Sequence, residues 1–219
     1  MTLDEPAAIE IAIGDTQIEL VVPTGYCPLD RKRWPETQLI DFTSDGIKNQ
    51  GERLAYFADC ERLRSWHEGG GGEDVGDIVD YQASPDFRSQ NVTGAMLKEL
   101  CTTLHKDGDG NKGWVAIFWK MIKGAAMGAF GAAEDKPLIY VVLDYDDTGC
   151  YVLSYSLMKK HEKVYTVSAL TIIKSKLVTV HHAGKIGDVD LLMGNGKDVI
   201  KRLLETSRET AAALIVANQ

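Results

Sequence analysis

The sequence predicts an α+β fold: an antiparallel sheet of about six or seven strands flanked by helices. Three observations predict it. Residues 9–22 alternate in two short apolar runs around a two-residue turn. Residues 138–181 hold four strand-like runs joined by turns too short for parallel crossovers. Residues 92–106 and 188–217 carry apolar side chains at helical spacing.

Taken in order, Ile9, Ile11 and Ile13 precede Gly14-Asp15, and Ile18, Leu20 and Val22 follow it. That pattern is a β-hairpin with one buried face. Pro23-Thr24-Gly25 ends its second strand. Pro35 opens a short helix carrying Leu39, Ile40 and Phe42, since proline suits the first helical position. Residues 53–58 read as a strand and residues 60–67 as a short helix. The tetraglycine 69–72 reads as a loop tip. Glu73, Asp74 and Asp77 follow it and would repel a phosphate, and no GK[ST] or GxGxxG pattern is present.

In residues 92–106, Leu97, Leu100, Cys101 and Leu104 mark one helical face. Residues 107–113 are a polar turn similar to the start of an EF-hand loop. Lys112 stands where that loop needs glycine and Phe118 where it needs glutamate, so a turn is the simpler reading. Residues 114–133 are the most apolar stretch and have the length of a membrane span. Lys120 and Lys123 near its middle would each cost about 2.5–3.5 kcal/mol at a bilayer centre. The expectation is therefore an amphipathic helix packed on the sheet. Strands follow at 138–145, 150–158, 164–173 and 176–181, and a C-terminal helix at 188–217, interrupted or delayed by Gly194-Asn195-Gly196.

The 219 residues are 44% hydrophobic and 26% charged, and the net charge is −8. That composition supports a real core and argues against nucleic-acid binding through bulk charge. Residues 1–8 are expected to form a disordered lead-in and residues 9–219 a single domain. Met1 to Pro6 lack a basic segment followed by an apolar run, unlike a signal peptide. The protein is then cytoplasmic, or periplasmic or otherwise exported with its leader removed ahead of residue 1.

Convergent chemistry is sparse. The histidines are His67, His105, His161, His181 and His182, with no HxH or HxxxH spacing. Neighbours His181 and His182 point to opposite faces of a strand and are poor co-ligands. Asp144, Asp146 and Asp147 cluster at a strand end, where a solvated acidic turn is commoner than a cation site. No GxSxG elbow occurs. Cys60 sits beside Asp59 and Glu61, which raise a thiol pKa and so disfavour a nucleophile. The four cysteines, Cys27, Cys60, Cys101 and Cys150, form no CxxC pair. They are free thiols in a cytosolic protein or two bridges in an exported one, with three possible pairings. No metal, cofactor or catalytic residue is expected.

Residues 21–30 (VVPTGYCPLD) after an N-terminal hairpin resemble the entry of PsbP-like proteins. The 164–180 hairpin and the terminal helix ending in Ala217-Asn218 resemble that fold's C-terminal half. The segments 25–30, 57–60, 99–101 and 149–151 are similar to bacterial envelope proteins with four cysteines. The resemblance implies an α/β/α sandwich, export and oxidised cysteines, in proteins that mostly act as non-enzymatic binding, assembly or chaperone-like modules.

With export implied, the expected bridges are Cys27–Cys60 and Cys101–Cys150. Cys27 follows the second hairpin strand and Cys60 the 53–58 strand, and neighbouring strands would bring these ends together. Cys101 faces inward from its helix towards Cys150 at a strand start. The leading functional expectation is a protein-binding or self-assembling module, contacting its partner through Trp114, Phe118, Trp119 and Met127. The alternatives are a small-molecule-binding protein or hydrolase with a pocket between sheet and helices, and peripheral membrane contact through residues 114–131. Termini without periodic apolar residues rarely pack. Deleting residues 1–7 is therefore expected to leave the melting temperature unchanged in a thermal scan; a large drop would place the first strand earlier.

Overall fold

A computed structural model describes residues 8–34, 36–45, 52–69, 77–107, 139–157, 163–186 and 196–219. The fold is α+β: among the described residues, a seven-stranded antiparallel sheet, a separate two-stranded hairpin and four α-helices. The hairpin pairs β1 (Ile9–Ile13) with β2 (Thr16–Leu20). Gly14 has φ +63°, as the first position of a two-residue hairpin turn requires. A side chain there would also meet the Arg88 carbonyl oxygen at 2.7 Å.

The large sheet contains β3 (Tyr26–Pro28), β4 (Glu52–Asp59), β5 (Ile78–Ala83), β6 (Ile139–Asp146), β7 (Gly149–Leu157), β8 (Lys163–Ile173) and β9 (Lys176–Ile186). Its order is β3-β4-β5-β9-β8-β7-β6. The meander β6–β9 forms as its short turns dictate. The hairpin does not join this sheet: β2 is no neighbour of β4, and β3 takes that place, with Cys27 opposite Ala58. β5 lies between β4 and β9 and links the two halves.

The helices are α1 (Glu36–Asp45), α2 (Cys60–His67), α3 (Gly94–Asp107) and α4 (Gly196–Ala217). Asp59 caps α2 by accepting from the Arg62 backbone N–H. α4 begins at Gly196, and the earlier part of the helix expected from residue 188 lies outside the described residues. Strand parity divides the core into two layers. One face packs Phe57, Val79, Tyr81, Tyr151, Val178 and Val180 against the hairpin and against Ala211 and Leu214 of α4. The other packs Cys150, Val152 and Leu170 against Leu97, Leu100 and Leu104 of α3. On that second face, Tyr56, Ala58 and Ile78 meet Ile40 of α1 and Trp66 of α2. The expected helix at 114–133 lies outside the described residues, as do residues 1–7.

The β8–β9 turn carries Lys174 at φ +47° and Ser175 at φ +65°, the left-handed region that costs a side chain about 1 kcal/mol or more. Ser175 is exposed. Ser175→Gly is expected to stabilise by about 0.5–1 kcal/mol, read as a higher urea midpoint at unchanged slope. An unchanged or lower midpoint would contradict the strain.

Candidate functional site

The structure joins Cys27 to Cys60 and Cys101 to Cys150, and no described cysteine is free. The first bridge ties β3 to the start of α2; the second ties α3 to the start of β7. Chain entropy alone gives each loop of this size about 4 kcal/mol, an upper guide. Cys101 and Cys150 are buried among apolar side chains, so the second bridge is an internal staple.

Three polar constellations surround this frame. The most buried lies on the α3 face at the sheet's centre. Arg53 Nε and Nη2 each donate to Asp80 at 2.9 Å, a bidentate pair with both side chains almost fully buried. Burial opposes the Arg53 charge, but the Asp80 carboxylate outweighs it and holds the guanidinium pKa above its usual value. Gln82 Nε2 donates to Asp80 at 2.6 Å. Asp80 is in register with His181, whose Nδ1 lies 2.8 Å from Ser168 Oγ. Serine, histidine and aspartate thus meet on one face. They are not arranged for nucleophilic catalysis: Asp80 is engaged by Arg53 and Gln82, and Ser168 and His181 are each 1% exposed. A nucleophile and base must reach substrate.

His182, next in sequence, points to the opposite face, edge-on to Tyr26. Burial pushes His181 down to about 4, the Asp80 charge resisting and the Arg53 charge assisting. Burial, with a smaller contribution from His181, pushes His182 down to about 3. Adjacency in sequence therefore placed the two rings in separate cores.

The second constellation joins the first helices. Glu36, almost fully buried, lies 2.6 Å from His67 Nε2 and accepts from the Asp30 backbone N–H at 2.5 Å. The third sits where α4 crosses the β6–β7 turn. Arg208 donates to Asp144, lies 3.7 Å from Asp146 and stacks over the Tyr151 ring. Burial raises the Asp146 pKa, but hydrogen bonds from Thr148 and Gly149 and the Arg208 charge outweigh it and leave it lowered. The acidic cluster expected at this strand end is thus bridged by a guanidinium. Among the described residues no group of three His, Cys, Asp or Glu side chains could hold a metal. No described helix is long and apolar enough to cross a membrane.

Surface concavity lies elsewhere. A groove of about 370 Å³ runs between α3 and β6. Its helix wall is Lys98, Cys101, Thr102 and His105, one face at i, i+3, i+4 and i+7; its strand wall is Val142 to Tyr145. β6 ends the sheet, and among the described residues no strand pairs with its outer side. Val141 on it is 50% exposed and Tyr145 40%. The expected contacts Trp114, Phe118, Trp119 and Met127 lie outside the described residues. Sequence reasoning missed the β6 edge because alternation marks a strand without saying whether it has one neighbour or two. Compared with known proteins, the chain matches no family model and no curated sequence.

The histidines make stability depend on acid. Their folded-state pKa values, about 4 and about 3, lie below the ordinary histidine value of 6.5. Below pH 6.5 the unfolded chain takes up protons that the folded chain refuses, so stability falls with pH. Only well above 6.5, from about pH 8, do the two histidines contribute almost no slope. At pH 5 their combined loss approaches about 4 kcal/mol. Urea unfolding should be flat above about pH 8, begin to weaken between about pH 7.5 and 6.5 and fall steeply below; equal stability at pH 6.5 and 5 would contradict neutral burial.

Proposed function

We propose that this chain is a non-enzymatic protein-binding or assembly module of the bacterial envelope. The observation that carries the reading is that, among the described residues, no strand pairs with the outer side of β6, on which Val141 and Tyr145 are exposed and which borders the α3 groove. An edge strand presents a row of main-chain donors and acceptors and pairs readily with another chain. Such edges are normally blunted by charge, proline, bulges or shortness; β6 has eight residues, IYVVLDYD, without Lys or Pro, and its bulge and its two aspartates lie beyond Val142, leaving the first four residues unblunted.

Two disulfides support an oxidising, exported compartment, the periplasm in this reading. A seven-stranded antiparallel sheet with helices on both faces is compatible with the PsbP-like resemblance, whose members mostly bind or assemble. The alternative of a small-molecule pocket has less behind it, because the Ser168–His181–Asp80 group is sealed in the core.

The test compares wild type with Val141→Lys, a substitution that edge strands tolerate. Wild type should retain a partner from an envelope extract, or a second copy on sizing at several concentrations, and Val141→Lys should release it. Identical retention by both, or a wild-type monomer with no partner, would overturn the reading.

A further inference from the structure

Resting on that reading, we infer that the β6–α3 groove takes an extended, basic-headed peptide strand, added antiparallel to β6 as the sheet's eighth strand. Main-chain geometry selects the form of the occupant. Only another extended chain can satisfy a row of N–H and C=O groups spaced along a strand, and alternate side chains then enter the neighbouring groove. Here those side chains would meet Val142 and the Cys101 bridge, an apolar floor between strand and helix. The helix wall is fixed to the sheet by Cys101–Cys150, so the groove exists before any peptide arrives.

Charge selects the head. At the C-terminal end of β6 lie Asp144, Asp146 and Asp147, against which Arg208 supplies one positive charge. Two negative charges are left over, and Asp147 is exposed. The whole chain carries −8, which steers basic partners towards it. Lys98 puts positive charge on the helix wall, so the peptide's basic residues belong at the strand end and not inside the groove. An antiparallel strand presents its N-terminal residues to the C-terminal end of β6. The lysines or arginines therefore lead the sequence, and apolar residues alternate after them.

Two synthetic eight-residue probes separate these statements: Lys-Lys followed by a Val-Thr repeat, and Glu-Glu followed by the same repeat, each acetylated and amidated. Binding is followed by amide shifts and hydrogen exchange on the full chain. The lysine peptide should bind at least tenfold tighter than the glutamate peptide and protect outer-side amides of β6. Asp147→Asn should narrow the preference, Val141→Lys should abolish binding, and Val141→Thr should keep it. Equal binding of both peptides overturns the charge assignment, and protection of amides away from β6 overturns the site. Concentration-dependent protection of β6 without peptide would assign the edge to a second copy and overturn the peptide proposal. If neither peptide binds while an envelope partner is still lost from Val141→Lys, the basic-strand proposal falls and the wider reading stands.

Discussion

The Arg53–Asp80 ion pair constrains the rest of the structure. It joins β4 to β5 on the α3 face at the sheet's centre, with both side chains almost fully buried. A buried pair adds little net stability compared with apolar side chains, because desolvation consumes much of the attraction. Separating the partners is different: a lone buried charge costs about 3–5 kcal/mol. A one-residue slip of β5 would send Asp80 to the opposite face and leave Arg53 alone. The same slip would turn Val79 and Tyr81 out of the α4-side core. Charge and apolar packing thus select one register.

From that register the remaining contacts follow across the ladder. Asp80 opposite His181 and His181 opposite Ser168 place a polar row through the middle of one face. Val79 opposite His182 and His182 opposite Val167 place an apolar row, with one ring in it, on the other. The polar row separates the α3 cluster from the α1 and α2 cluster, so this face has two small cores instead of one. The two disulfides fall on these separate cores: Cys27–Cys60 beside α2 and Cys101–Cys150 under α3. Each staples a helix that would otherwise hold the sheet through one small cluster.

The sequence made some of this legible and hid the rest for physical reasons. Period-two alternation over 9–20 and 150–173 marked strands because each turn between them is too short for anything but antiparallel pairing. Oxidised cysteines follow from the resemblance, and the pairing from neighbouring strand ends and from Cys101 facing inward, but the expected route to Cys27–Cys60 was different from the real one. The three residues of β3, not the hairpin, run beside β4, and a three-residue strand ending in proline carries almost no periodic signal. β5 was missed although Val79, Tyr81 and Ala83 alternate with Asp80 and Gln82 just before Pro85, the pattern of a half-polar strand. Its polar positions are buried too, which alternation cannot reveal.

The candidate site was less legible than the fold, because a site depends on what is adjacent and not on what is periodic. Ser168, His181 and Asp80 come from three strands and more than 100 residues of chain, so no local motif announces them. Once assembled, burial decides their role: the rings stay neutral, the hydroxyl is committed to Nδ1, and the carboxylate is committed to Arg53 and Gln82. These three groups have spent their chemistry on the sheet's interior. What remains accessible on β6 is main chain and apolar surface, the ingredients of recognition. The acidic turn beside it adds direction, since Arg208 balances only one of its three carboxylates. Among the described residues Ser168, His181 and Asp80 are turned inward, while β6, one of the sheet's two end strands, keeps an unpaired side with net negative charge at its C-terminal end.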